Sequence, residues 1–141
     1  MLAKITLRTL PQRAASLRLT EEGKRLLESG QYAKALDRLE KTLGVDSTNP
    51  YVYYYLAKAH YHLAHYRQSL DFLEVAESLV SDQSYWLAKV HSLKGENFRA
   101  LGFLGQANSS YVQALRLNPG NRTASEGLTH VRREMKAPSL R

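Results

Sequence analysis

Cysteine is absent from this 141-residue chain, which excludes disulfide frameworks, thiol nucleophiles and cysteine-bound zinc while leaving the compartment open. Proline (4) and glycine (8) are too scarce for a fibrous or low-complexity chain. No stretch approaches the run of about eighteen apolar residues that a membrane span requires, and residues 1–12 hold only isolated apolar side chains among Lys4, Arg8 and polar positions, without the continuous apolar core of a secretory signal. What is present is ordinary for a folded domain: 43% hydrophobic and 23% charged residues. A chain of this length buries roughly 70% of its unfolded surface and makes about one domain, which argues against an enzyme with separate cofactor and substrate lobes.

The formal charge of +7 is carried by the ends. Residues 1–25 sum to +4, residues 26–115 to −1 and residues 116–141 to +4. Arg8, Arg13, Arg18, Arg132, Arg133 and Lys136 are placed to meet phosphates, so binding of nucleic acid or an anionic surface through the basic termini is the alternative function. Terminal basic residues on a helical protein more often serve solubility, and nucleic acid is not the expected partner.

Apolar residues recur at spacings of three and four from Leu17 almost to Met135, with none of the strict alternation of half-buried strands, so the expected class is all-α. Breaks at Ser29-Gly30-Gln31, Gly44 to Pro50, Ala64-His65, Ser81 to Ser84, Gly102 to Gly105 and Asn118 to Asn121 separate seven predicted helices, over 15–29, 32–44, 50–63, 66–80, 84–101, 104–117 and 121–135. Asn49-Pro50 is a strong helix start: asparagine caps orphan amides and proline in the first turn lacks the amide that needs a partner.

The sequence also repeats. A shift of 34 residues aligns Gly30-Gln-Tyr32 with Ala64-His-Tyr66, Ala35 with Ser69, Leu39 with Leu73 and Thr42 with Ala76; a third copy follows after 38 residues, with Gly102, Leu104, Ala107, Tyr111 and Ala114 in the same places. Antiparallel helix pairs account for this, with small residues where the helices of a pair touch and Leu39, Leu73 and Tyr111 expected against the next pair. The 34-residue period resembles the tetratricopeptide repeat. Gly23, Ala57 and Gly95 take the small position of its first helix. Tyr32-Ala-Lys-Ala35, Tyr66-Arg-Gln-Ser69 and Gln113-Ala-Leu-Arg-Leu-Asn-Pro119 follow its second helix. The motif's opening tryptophan is missing, with Leu19, Tyr53 and His91 in its place.

The resemblance implies a right-handed α-α superhelix of three helix pairs, about 16–49, 50–83 and 84–121 within residues 15–121, followed by a capping helix over 122–136, with tails at 1–14 and 137–141. The capping helix is expected to turn Ala124, Leu128, Val131 and Met135 inward. The family binds extended peptides on the face built by its first helices, and no catalysis is implied. On the predicted helix 50–63, Tyr51, Tyr54, Lys58, Tyr61 and His62 share one stripe, whereas Tyr53, Leu56, Ala57, His60, Leu63 and Ala64 share another richer in small and aliphatic residues. The first stripe is therefore expected to line the peptide groove, joined by Lys24 and Leu27 from the first repeat and by Lys89, Glu96 and Arg99 from the third. Tyrosines give rigid contact area, and the cations favour an acidic peptide.

Chaperone-binding members of the family hold a terminal carboxylate with a clamp of lysine, asparagine and arginine. Thr20, Lys24, Tyr55, Lys89 and Leu93 occupy its places here, so no chaperone tail is expected as ligand. Of His60, His62 and His65, His62 and His65 sit one turn apart, but no carboxylate or further histidine nearby in the sequence completes a ligand set, and no metal or cofactor is expected. Gly95, Gly102 and Gly105 lack the ending of a phosphate loop. The resemblance extends to bacterial assembly and scaffold proteins, with self-association through an end repeat possible in principle. The expected location is the cytoplasm, or the periplasm or envelope if an export signal once preceded the chain.

Overall fold

The structure, a computed structural model, describes residues 9–137. Those residues form seven helices and no strand: α1 (Thr9–Glu28), α2 (Tyr32–Val45), α3 (Pro50–His62), α4 (Tyr66–Leu79), α5 (Ser84–Ala100), α6 (Leu104–Leu117) and α7 (Arg122–Lys136). The all-α expectation holds. Six of the seven spans lie within two residues of the sequence reading; α1 instead begins at Thr9, so residues 9–13 of the expected N-terminal tail are helical, and the rest of that tail lies outside the described residues. Pro11 did not stop this helix because a first turn has no carbonyl waiting for the missing N–H.

The turn within each helix pair is built the same way three times. Gly30, Ala64 and Gly102 adopt φ of +80°, +63° and +83°. In each, the residue with positive φ donates its N–H to the carbonyl three residues back (Leu27, Tyr61, Arg99), and the next residue donates to the carbonyl five residues back (Leu26, His60, Phe98) at 2.8–2.9 Å. This left-handed cap satisfies two orphan carbonyls at each helix end. Glycine reaches that conformation freely; Ala64 pays about 1 kcal/mol to do so.

The chain divides into two compact units at Phe72–Leu73, within α4. In the first unit α1 packs on α2, α2 on α3, and α1 touches α3. A Cβ added at Gly23 would lie 2.5 Å from Leu39 Cδ2, so the glycine admits the leucine of its own pair, rather than Leu39 facing only the next pair. Asn49 is fully buried: its Oδ1 accepts the Tyr51 N–H at 3.0 Å, capping α3, while its Nδ2 donates to Ser16 Oγ at 2.8 Å and Thr20 Oγ1 at 3.2 Å. Arg13 donates to Asp46 at 2.5 Å and to Thr48 at 2.7 Å, fastening α1 to the α2–α3 loop.

In the second unit α5 packs on α6, α6 on α7, and α5 touches α7. Its centre is Tyr111, 0% exposed. Cβ atoms added at Gly95 of α5 and Gly127 of α7 would lie 2.5 and 2.4 Å from its ring. Ala124, Leu128 and Val131 turn inward as expected, but Met135 does not: it is 52% exposed, in the last turn of α7.

Candidate functional site

The expected groove residues fall on α1, α3 and α5, and the two units are described separately. In the first unit α3 is touched by α1 and α2 and receives the hydroxyl of Ser69, from the start of α4, on the Ala57 carbonyl at 2.6 Å. With neighbours on several sides of α3, the residues of the expected stripe differ in burial. Tyr54 is only 7% exposed and Leu27 6%, so both are core residues. Tyr54 meets Tyr55 edge to face, centroids 5.2 Å apart. Tyr51, Lys58 and Tyr61 remain half-buried and His62 exposed, while Tyr53 of the opposite stripe is also half-buried, its hydroxyl donating to the Ser47 carbonyl at 2.7 Å.

The C-terminal end of α3 carries an aromatic cluster. His62 stacks on Tyr32, the first residue of α2, with centroids 4.4 Å apart and planes 6° from parallel. Tyr61 meets His62 edge-on at 5.3 Å and Tyr66 at 5.8 Å. Partial desolvation of the imidazole, packed against its neighbouring rings on one side although the residue is exposed, and secondarily the charge of Lys58, hold the His62 pKa below the ordinary imidazole value. Lys24 sits three residues beyond Glu21 in a loose ion pair at 3.9 Å, and Lys58 is half-buried. Because the two lysines are 34 residues apart, they hold the same repeat position on helices that touch, α1 and α3.

In the second unit the expected residues are more occupied. Lys89 lies over the Trp86 ring at 4.5 Å and near Tyr85 at 5.5 Å, with Tyr85 60% exposed. Glu96 accepts the Tyr111 hydroxyl at 2.8 Å, and Arg99 donates to Glu134 of α7 at 2.9 Å. Glu96 therefore ties α5 to Tyr111 of α6, and Arg99 ties it to the closing helix α7, whatever else they contact. Sequence spacing gave no hint of this, because their partners lie 15 and 35 residues away.

The sequence reading also missed a pair of histidines. It set His62 beside His65, one turn apart; the structure instead brings His60 Nδ1 to 3.1 Å from His65 Nδ1. The left-handed turn at Ala64 reverses the chain and returns His65 to the helix end.

Comparison with known proteins places this architecture. Residues 26–94 match the family model described as tetratricopeptide repeat. Heat shock protein STI1 of Saccharomyces cerevisiae is 30% identical over 117 residues, which is 83% of this chain; the chain spans only 19% of the length of that protein. The first TPR of Spaghetti (RPAP3), solved bound to the HSP90 peptide SRMEEVD, superposes with a TM-score of 0.75 at 27% identity, covering 86% of this chain and 94% of that one. The first TPR domain of human RPAP3 does so with a TM-score of 0.75 at 28% identity, covering 85% and 91%. No described helix is long and apolar enough to cross a membrane. With the same left-handed turn at three successive pairs, a closing helix and these matches, the chain is a tetratricopeptide-repeat protein of three repeats followed by a capping helix.

Proposed function

We propose that this chain is a non-catalytic interaction module that holds an extended, acidic segment of another protein, with Lys24, Tyr51, Lys58 and Tyr61 of the first unit as its principal contacts. The observation that carries the reading is the lysine pair at one repeat position on touching helices, each half-exposed. Packed helices stand about 8–10 Å apart, and alternate side chains of an extended peptide about 7 Å, so flexible lysine stems reach two carboxylates on the same side of one strand. Tyr61 lies three residues from Lys58, and its half-buried ring offers the rigid apolar contact that a peptide side chain needs.

The peptide solved with Spaghetti, SRMEEVD, is acidic, which supports the partner class. The chaperone-type clamp is not supported to the same degree. Of its five places, Thr20, Tyr55 and Leu93 are 5%, 7% and 6% exposed and uncharged, leaving Lys24 and Lys89 as cations. The reading is therefore of an acidic segment whose free carboxyl terminus matters little.

Fluorescence anisotropy with labelled SRMEEVD, as the free acid and as the C-terminal amide, tests this. Both are expected to bind with affinities that fall as salt rises, and the Lys24→Ala, Lys58→Ala double variant is expected to weaken both. Equal affinity in variant and parent removes this face from the account. A second reading, binding of an anionic polymer or surface, is favoured by Arg132, Arg133 and Lys136 lining one recess on α7 with Leu115 and Leu128. Duplex DNA binding that falls by orders of magnitude between low and moderate salt would support it, and a salt-indifferent isotherm would dismiss it.

A further inference from the structure

The turn that closes each helix pair brings two side chains together. In a left-handed cap of this kind, the residue after the turn meets the residue whose carbonyl it binds, usually through an apolar contact. In the first repeat these residues are Leu26 and Gln31, and in the third they are Phe98 and Phe103. In the second they are His60 and His65, whose backbone bond measures 2.8 Å and whose Nδ1 atoms stand 3.1 Å apart. The fold demands the apposition but not the histidines, since the other two repeats make the same turn without them.

We propose that His60 and His65 together bind one divalent transition-metal ion through their Nδ1 atoms, with water in the remaining positions. An ion placed about 2.0–2.1 Å from each nitrogen, the usual zinc–imidazole length, would subtend roughly 100° across a separation of 3.1 Å. That lies between the octahedral angle of about 90° and the tetrahedral angle of about 109°, so the pair has the bite of a chelate for zinc or copper, ions suited to imidazole. The His60 ring stacks on Phe72 with centroids 5.4 Å apart and planes 12° from parallel, and the main chain of His65 is fixed by its bond to the His60 carbonyl.

The local field favours a cation. His60 is in the last turn of α3 and His65 just beyond its end, where the helix dipole places partial negative charge, and Glu40 of α2 acts on His60 in the same sense. Burial, with the neighbouring His65, holds the His60 pKa below its ordinary value, so the ring is a neutral ligand near neutral pH rather than a cation to be displaced. In the metal-free pair one Nδ1–H donates to the other Nδ1. On binding, that ring exchanges its Nδ1 proton through solvent for one on Nε2, so that both Nδ1 atoms present lone pairs to the ion. Among the described residues no group of three or more potential ligands stands together, so the site uses two protein ligands and exchanges its waters freely.

Titration of the full chain with zinc chloride by calorimetry, at pH near 7.5 in a non-coordinating buffer, tests the proposal. One saturable site is expected. His65→Gln is expected to lose that site and His62→Gln, stacked on Tyr32, to keep it. The double variant His60→Phe, His65→Phe copies the third repeat's pair; it is expected to remain helical by circular dichroism and to lose the site. Absence of saturable binding in the parent, retention of the site in His65→Gln, or equal loss in His62→Gln would each overturn the proposal.

Discussion

Gly127→Ala puts a methyl group where Tyr111 already is. The added Cβ would stand 2.4, 2.6 and 2.7 Å from Cζ, Cε1 and the hydroxyl oxygen of that ring, well inside van der Waals contact. Tyr111 has no room to retreat: it is 0% exposed, Gly95 backs the same ring from α5, and its hydroxyl is engaged by Glu96 at 2.8 Å. Overpacking a core in this way costs about 1–3 kcal/mol, and the rigidity of the ring argues for the upper part of that range. Alanine's better helix propensity returns about 1 kcal/mol, so the net loss is about 1–2 kcal/mol. With a urea dependence of about 2 kcal/mol per molar for a chain of this size, the midpoint of denaturation falls by roughly 0.5–1 M. Gly44→Ala is the internal control. Nothing lies within 4 Å of the added Cβ there, so only the propensity gain of up to about 1 kcal/mol applies and the midpoint stays or rises. Far-ultraviolet circular dichroism against urea reads both. In a Tyr111→Leu background the alanine penalty at Gly127 is expected to shrink by at least about 1 kcal/mol, because the clash partner is gone. A Gly127→Ala variant as stable as the parent, or an undiminished penalty in the leucine background, would refute the reasoning.

Asn49→Ala removes the α3 cap and the donor to the buried Ser16 hydroxyl, while Thr20 keeps its bond to the Ser16 carbonyl; a lost cap costs about 0.5–2 kcal/mol and an unsatisfied buried group about 1–3 kcal/mol, so a loss of about 3 kcal/mol is expected in the same urea assay. Substitution by aspartate is expected to restore the cap but not the donation to the hydroxyls, and so to recover only part. For pH, burial pushes the His91 pKa down, Glu77 opposes and Lys94 adds to the depression. A lowered histidine pKa means that the unfolded chain binds the proton first, so its contribution to stability is complete above about pH 6.5 and is lost as pH falls from there through the folded value. His60 and His62 act in the same direction. The parent's urea midpoint is therefore expected to fall as pH drops below about 6.5, and less steeply in His91→Gln; equal slopes in the two proteins would contradict it.

The elements were legible in the sequence because helix spacing and turn chemistry are local. Gly30 and Gly102 mark the two turns that glycine makes without strain, and the weaker break at Ala64-His65 gained support from the 34-residue phase, which aligns it with Gly30-Gln31. The start of α1 escaped because the regular apolar spacing begins only at Leu17, although the helix itself begins at Thr9 and carries Pro11 within its first turn, where no carbonyl waits for the missing N–H.

The candidate site was less legible, and α3 shows why. A stripe on a helix says which residues point together; it does not say how many neighbours the helix has. With one neighbour, Tyr51, Tyr54, Lys58 and Tyr61 would have shared one fate. With α1, α2 and the start of α4 around it, Tyr54 is core while Lys58 remains half-exposed. The histidines make the complementary point. Helical spacing pairs residues three or four apart, so it offered His62 with His65, yet a left-handed residue between two helices joins positions five apart, as it does for Phe98 and Phe103. In a repeat protein, pairings of that kind are readable once one copy of the turn is known, because the same backbone bonds recur at the same offsets. A contact foreign to its sister repeats, two imidazoles where the others place leucine with glutamine and phenylalanine with phenylalanine, then marks a position that the turn itself did not require.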